Sequence, residues 1–235
     1  MRRRTDRARS YVYLTARVSE RFMHGSSQCA REIDPSVFKF QHSKTASRLD
    51  LASLGGASVT LGAALFLMRP EAQLADSAAW TALGLALWSL LEYALHRYVL
   101  HGLRPFSTWH AEHHRRPAAR IYSPTYVGVA LIGGLVYLPM SLLVGAWPAC
   151  ALAFGVLSGY FAYSVTHHAV HHHSAVDRWL GRRRHWHVLH HAQPRDPMAR
   201  PGYYGVTSAF WDHVFRSDRG QRGSRGFRSA IANET

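Results

Sequence analysis

The chain has only two cysteines in 235 residues, Cys29 and Cys150, and no Cys-x-x-Cys pair. A thiolate zinc site or an iron–sulfur cluster needs more sulfur than that, so both are excluded. Cys29 lies in a polar segment and Cys150 in an apolar run, so no disulfide between them is expected. Acidic residues are also scarce, with 14 Asp and Glu against 28 Lys and Arg. Charge of either sign is nearly absent from four long stretches, 51–68, 78–95, 125–147 and 149–165. These contain no Lys, Arg or Asp, and Glu92 is their one carboxylate. Buried helices of a soluble bundle rarely run so far without a polar face, and a membrane crossing needs about 20 mostly apolar residues.

The basic residues are distributed unevenly around these stretches. Of the 28 Lys and Arg, 11 lie in residues 1–50, 5 in 97–124 and 11 in 168–235, which leaves Arg69 alone in the remaining loops. That is the pattern of a four-span protein with its basic loops and both termini on the cytosolic side. The formal charge of +14 is therefore read as topology and contact with anionic lipid, and no nucleic-acid partner is expected. Arg69-Pro70 through Ser77 and a tight turn at Trp147-Pro148 predict two helical hairpins. Small residues inside the stretches (Gly55, Gly56, Gly62, Gly84, Gly133, Gly134, Gly155, Gly159) favour close helix packing. About fifty polar residues precede the first span, so no signal peptide is expected. Residues 1–48 are expected to form a poorly ordered basic tail, in which Met23 offers an alternative start. Residues 49–216 form the membrane domain and 217–235 a second basic tail.

The abundant residue is histidine. Fifteen of the seventeen lie between His96 and His213, outside the polar N-terminal segment that holds His24 and His42. They fall into groups: His96-x4-His101, His110-x2-His113-His114, a run over 167–173, and His187-x2-His190-His191. The first group follows the second span, the third follows the fourth span, and the other two lie in the loops just beyond. With four spans, all four groups meet on one face of the membrane. Imidazole is a good ligand for iron, zinc, copper and nickel near neutral pH. Histidines at i, i+3 and i+4 share a helix face, as His110/His113/His114 and His187/His190/His191 do. His167 and His171 are spaced to bind one metal from one helix, and His168 and His172 have the same spacing. His96 and His101, five apart, are not on one face of a straight helix; the helix is expected to end or bend near 99–102, and the two to approach different metals. His213 reads as an ordinary surface histidine. The set is too large for one ion, and two metals with about five nitrogens each leave room for oxygen or water. Iron suits such sites and activates dioxygen; zinc prefers four ligands and has no redox chemistry. The Glu-x-x-His pairs of a soluble carboxylate di-iron bundle are absent.

Four motifs in order, Glu92-Tyr93-x-x-His96-Arg97-x-x-x-His101, Trp109-His110-x-x-His113-His114, Thr166-His167-x-x-x-His171 and His187-x-x-His190-His191, resemble the fatty acid hydroxylase/sterol desaturase superfamily of membrane di-iron oxygenases. The closing run Tyr204-Gly205-Val206-Thr207-Ser208-x-x-Trp211-Asp212 is similar to that superfamily's tail. The resemblance covers about 92–215, over half the chain. It implies an all-α integral membrane fold, four transmembrane helices in two hairpins with a cytosolic, helical, His-rich metal-binding cap. It implies ten ligands to two iron ions: His96, His101, His110, His113, His114, His167, His171, His187, His190 and His191. Thr166-His167 favours the His167/His171 register, leaving His172, His173 and His185 as extra. Zinc is a possible substitute in isolated protein. The implied reaction uses O2 to hydroxylate a C–H bond of a fatty acyl or sterol-like lipid reaching the site from the bilayer. Carotenoid ring hydroxylation and lipid desaturation are the alternatives within that chemistry. A non-catalytic membrane metal-binding protein and a zinc hydrolase are the alternatives outside it. The chain has no Gly-rich dinucleotide loop and no haem-binding segment, so an external electron donor of the ferredoxin or cytochrome b5 type is expected. A bacterial inner membrane is the expected location, ahead of the endoplasmic reticulum.

Overall fold

The structure, a computed structural model, describes residues 43–120, 125–174, 177–192 and 201–218. Among these residues every regular element is helical. Helix α1 covers Lys44–Met68. Arg69-Pro70 and a short 3-10 turn, Glu71–Gln73, lead into α2, Leu74–Ala94, which continues unbroken into a π-helical turn, Leu95–Leu100. Helix α3 is Phe106–Arg115. Helix α4, Thr125–Ile132, passes through a second π turn, Gly133–Tyr137, into α5, Leu138–Val144. Then follow α6, Ala146–His172, α7, Arg178–His191, and the short α8, Phe210–Val214. Most of the expected tails, with Cys29, His24, His42 and Met23, lies outside the described residues.

Four continuous rods, Lys44–Met68, Glu71–Leu100, Thr125–Val144 and Ala146–His172, are long and apolar enough to cross a membrane. At 1.5 Å per residue the shortest, 20 residues, spans a hydrocarbon core about 30 Å thick. Their outward faces carry large apolar side chains that water would not tolerate in such number. Leu142 and Leu143 are 88% and 76% exposed, and Phe66, Leu67 and Leu135 face outward in the same way.

Helix α6 is the centre of the packing. Half of its most apolar stretch is buried, against 17% or less in the other three rods, and α1, α2 and α5 all pack on it. The tightest crossing is with α2. A Cβ placed on Gly84 would sit 2.3 Å from the Leu152 carbonyl oxygen, and one on Gly155 would sit 2.2 Å from that of Thr81. Only glycine lets the two backbones approach so closely, the small-residue packing that lipid-embedded helices favour. One turn further on, Trp88 lies directly over Gly159.

Local chemistry sets the helix ends. Ser43 caps α1 by accepting from Ala46 N (3.1 Å), and Asp177 caps α7 by accepting from Leu180 N (2.8 Å). The start of α4 is capped from another helix. Asp50 of α1 accepts from Thr125 N (2.8 Å) and Thr125 Oγ1 (2.9 Å), placing a carboxylate at a helix N-terminus.

Two details differ from expectation. The tight turn before the last rod is not at Trp147-Pro148. It sits at Gly145, whose φ of +91° suits glycine, and Ala146, Trp147 and Pro148 form the first turn of α6, where proline is tolerated. The second and fourth rods also run beyond their apolar stretches, to Leu100 and His172. His96 and the 167–172 histidines are therefore on the spanning helices themselves. Hydropathy marks the hydrocarbon depth; nothing breaks the helices there, so they continue.

The α2–α6 crossing yields a direct test. Gly155→Ala should destabilise the protein by about 1–3 kcal/mol or more through overpacking against backbone. Gly134→Ala, with open space around the added carbon, should not. Thermal unfolding of both variants in the same detergent micelle measures the difference.

Candidate metal centre

Nine of the imidazoles form two compact sets of nitrogens at one end of the rods. The first set is His96, His101, His110, His114 and His190; the second is His113, His167, His171 and His187. Within each, the candidate ligand atoms lie within 4.8 Å of one another. His191 adjoins the second set, with its Nε2 3.0 Å from His187 Nε2. Its ring also stacks on His114 of the first at 4.2 Å.

Two of the contributing helices, α3 and α7, divide their histidines between the sets. In α3, His110 and His114 enter the first set and His113 the second; in α7, His190 enters the first, while His187 enters the second and His191 adjoins it. Both sets thus share two helices and hold each other at a fixed distance. His167 and His171, from the last turns of α6, both lie in the second set. His168, His172 and His173 turn away and contact one another, with the His168 and His172 rings 4.6 Å apart. His185 lies in neither set. His213 pairs with Asp218 (2.8 Å).

The expectation that His96 and His101 approach different metals is overturned. Both are in the first set. The cause is the π turn: His101 N donates to His96 O, an i→i+5 bond of 3.2 Å. In a straight α-helix the two side chains would diverge by roughly 140° about the axis. One extra residue in the turn brings them to the same side.

Hydrogen bonds fix two of the rings. His96 Nδ1 is 2.5 Å from Tyr204 O and His190 Nδ1 is 2.9 Å from Gly202 O. A carbonyl only accepts, so each Nδ1 carries the proton and each Nε2 presents a lone pair inward. His96 Nε2 meets His110 Nε2 at 2.9 Å, and His190 Nε2 meets those of His101 and His114 at 3.1 Å. In the second set, His187 Nε2 is 2.7 Å from His171 Nε2, which is 3.3 Å from His167 Nε2. Both ring nitrogens of His113 are buried and have no hydrogen-bond partner among the described residues. Buried polar atoms are rarely left so; crowded lone pairs and an orphaned imidazole are what a bound cation would satisfy. Burial and the neighbouring rings hold these histidines neutral. His101 and His113 are pushed down to about 4 and His114 to about 2, and His110, His187 and His190 are pushed well below the ordinary value. The donor sets contain no carboxylate. Glu112, between the histidines of α3, turns away to pair with Arg115 and Arg116.

The loop that supplies the two carbonyls is held by two carboxylates. Glu92 accepts from Val206 N (2.6 Å), Thr207 N (2.8 Å) and Thr207 Oγ1 (2.5 Å). Asp212 accepts from Tyr204 N and Gly205 N, both at 2.8 Å, and from Ser217 Oγ at 2.6 Å. Trp211 Nε1 donates to Ser89 Oγ (3.0 Å), docking α8 on α2. Sequence spacing did not assign these partners. Two signals were usable, Glu92 as a lone carboxylate in an apolar stretch and the closing run from Tyr204 to Asp212.

The fatty acid hydroxylase family model matches residues 81–217, more than half of the chain. The chain belongs to the fatty acid hydroxylase family. The match runs from the α2–α6 crossing to the loop-holding Ser217, and includes all ten expected ligands. Among similar proteins, a dihydroceramide fatty acyl 2-hydroxylase of Arabidopsis thaliana is 31% identical over 145 residues, covering 57% of this chain and 58% of that one. Human fatty acid 2-hydroxylase is 30% identical over 147 residues, covering 57% of this chain and 38% of that one. A solved structure described as full-length scs7p, with only its hydroxylase domain visible, superposes with a TM-score of 0.60 at 26% identity, covering 73% of this chain and 66% of that one. The chain thus spans less than two thirds of the length of these family members.

The depressed histidines predict a pH dependence. Groups such as His101 and His113 bind fewer protons folded than unfolded, so protonation favours the unfolded chain. With a chelator present, stability should be unaffected above about pH 7.5, then fall from the ordinary value of 6.5 down to about 4. Melting temperatures across that range check it; a flat profile would contradict burial of neutral rings.

Proposed function

We propose that this fatty acid hydroxylase family member is a membrane-bound di-iron oxygenase that hydroxylates a C–H bond in the fatty acyl chain of a lipid. The observation that carries the reading is the convergence of nitrogen-only donor sets at the end of apolar, membrane-length helices. His96, His101, His110, His114 and His190 would hold one ion, and His113, His167, His171, His187 and His191 the other. Five nitrogens each leave a position open for oxygen, which fits iron better than four-coordinate zinc. When bound, iron supplies the reduction of dioxygen and the attack on an unactivated C–H bond, which no side chain achieves alone.

The protein's own part is placement. Tyr163 stacks on His167 (5.5 Å, 10° between planes) and steadies that ring from below. Neutral imidazoles in a buried pocket keep their lone pairs free of protons. Because the donor sets sit where α2 and α6 end, an acyl chain lying in the bilayer reaches them from the side without leaving lipid. The acyl class of substrate is supported by the relatives, whose names specify fatty acid and dihydroceramide fatty acyl 2-hydroxylation. Electrons come from a separate donor of the ferredoxin or cytochrome b5 type. The one-sided distribution of Lys and Arg supports a cytosolic orientation for the donor sets and both termini.

Lipid profiling of cells with and without the protein should reveal a hydroxylated acyl product that disappears when oxygen is excluded. Turnover that survives without oxygen would sink the proposal. Among ligand variants, His113→Ala and His190→Ala should each lose bound iron and product together. His171→Ala should do the same, while His168→Ala retains both. Iron content per chain, measured beside product, checks the assignment, and full iron in His171→Ala would reverse the register.

A further inference from the structure

The two donor sets differ in what stands behind them. In the first, His96 and His190 are each held by a loop carbonyl, and that loop is fastened by five hydrogen bonds that its own amides and the Thr207 hydroxyl donate to Glu92 and Asp212. The loop has little freedom of its own: a Cβ on Gly205 would sit 2.0 Å from Ser208 O, and one on Gly202 would sit 2.3 Å from Ser217 O. In the second set, the outer nitrogens of His187 and His191 are buried with no partner among the described residues, as are both nitrogens of His113. An outer partner fixes a ligating ring's orientation and tautomer and raises its basicity, and its loss typically weakens metal binding by about 10–100-fold.

We propose that Glu92 and Asp212 are positioning residues for the first donor set alone, so that the first set retains its ion while the second releases its ion readily. The inference rests on the two-metal reading above and adds an order between the sites. The carboxylates touch neither metal nor substrate; they act through the backbone of residues 202–207.

The geometry separates two conservative substitutions. At position 92, Oε1 receives both amides and Oε2 receives only the Thr207 hydroxyl. Glutamine can keep its oxygen on the amides and donate its NH2 to that hydroxyl, so Glu92→Gln preserves the loop. At position 212, each carboxylate oxygen receives a backbone N–H, from Tyr204 on Oδ1 and Gly205 on Oδ2. Either orientation of an asparagine amide sets an NH2 against an N–H, so Asp212→Asn must break the loop's hold.

The test uses the full chain in detergent micelles, loaded anaerobically with ferrous iron and mixed with excess coloured ferrous chelator. Wild type should take up two ions and release them in two phases of equal amplitude. His187→Ala should remove the fast phase and His190→Ala the slow one. Asp212→Asn and Glu92→Ala should accelerate the slow phase about tenfold or more and leave the fast phase within twofold, while Glu92→Gln leaves both unchanged. Thr207→Val, a smaller change to the same contact, should act in the same direction by less and serves if the stronger variants do not fold. Asp50→Asn loosens the α1–α4 contact away from the loop and should move neither phase, which separates positioning from general destabilisation. Release in one phase from a wild type holding two ions, or equal acceleration of both phases in Asp212→Asn, overturns the inference while sparing the two-metal reading. A wild type that takes up fewer than two ions overturns both.

Discussion

The contact on which the rest depends is the crossing of α2 and α6 at Gly84 and Gly155, where each backbone occupies the space a side chain would need. From that point the two helices rise together. His96 lies twelve residues beyond Gly84 and His167 twelve residues beyond Gly155, a climb of about 18 Å in each case. Two ligand-bearing helices leaving one fixed point with equal reach arrive at the same level, and the remaining histidines need only be carried in from α3 and α7. Direct backbone packing suits this role in lipid, where apolar side chains gain little by leaving one hydrocarbon surface for another.

The second constraint is electrostatic. Imidazoles gathered this closely are tolerable only while neutral, and burial together with mutual repulsion keeps those of α3 and α7, such as His114 and His190, in that form. The carboxylates that would ordinarily compensate such a cluster are employed elsewhere. Glu92 and Asp212 bind backbone amides, and Glu112 binds two arginines. The inward lone pairs are therefore left without a charged partner from the protein, as suits a pocket for a cation, while the acidic residues shape the wall around it.

Much of this was legible in the sequence. Four membrane-length helices follow from the charge-free stretches, and the meeting of the histidines at one end follows from counting spans. The i, i+3, i+4 spacing identified histidines sharing a helix face, but not that each face would be divided between two donor sets. That division depends on how α3 and α7 lie across α2 and α6, which spacing does not encode. The turn at Gly145 was missed because Trp147-Pro148 carries the stronger breaker signal, although proline fits a first helical turn. The carbonyls of Gly202 and Tyr204 were invisible for a simpler reason: a backbone acceptor leaves no mark in residue identity. The pairing of His96 with His101 was misread because the bend expected near 99–102 was taken to part them, whereas the π turn winds them to the same side.

That π turn has a consequence for how the segment can vary. Between Leu95 and Leu100 the winding of the turn matters more than most of its residues' identities, because the surplus residue it absorbs sets the register of His101. Many substitutions would leave the bulge in place. Relaxing the turn to ordinary helix at its present length would carry His101 roughly 100° further around the axis and out of its set, whereas loss of one residue would leave the two histidines four apart and still on one face. The junction between a membrane helix and a loop is usually where a chain accepts insertions and deletions; in this protein it can give up the surplus residue but cannot be straightened with it in place.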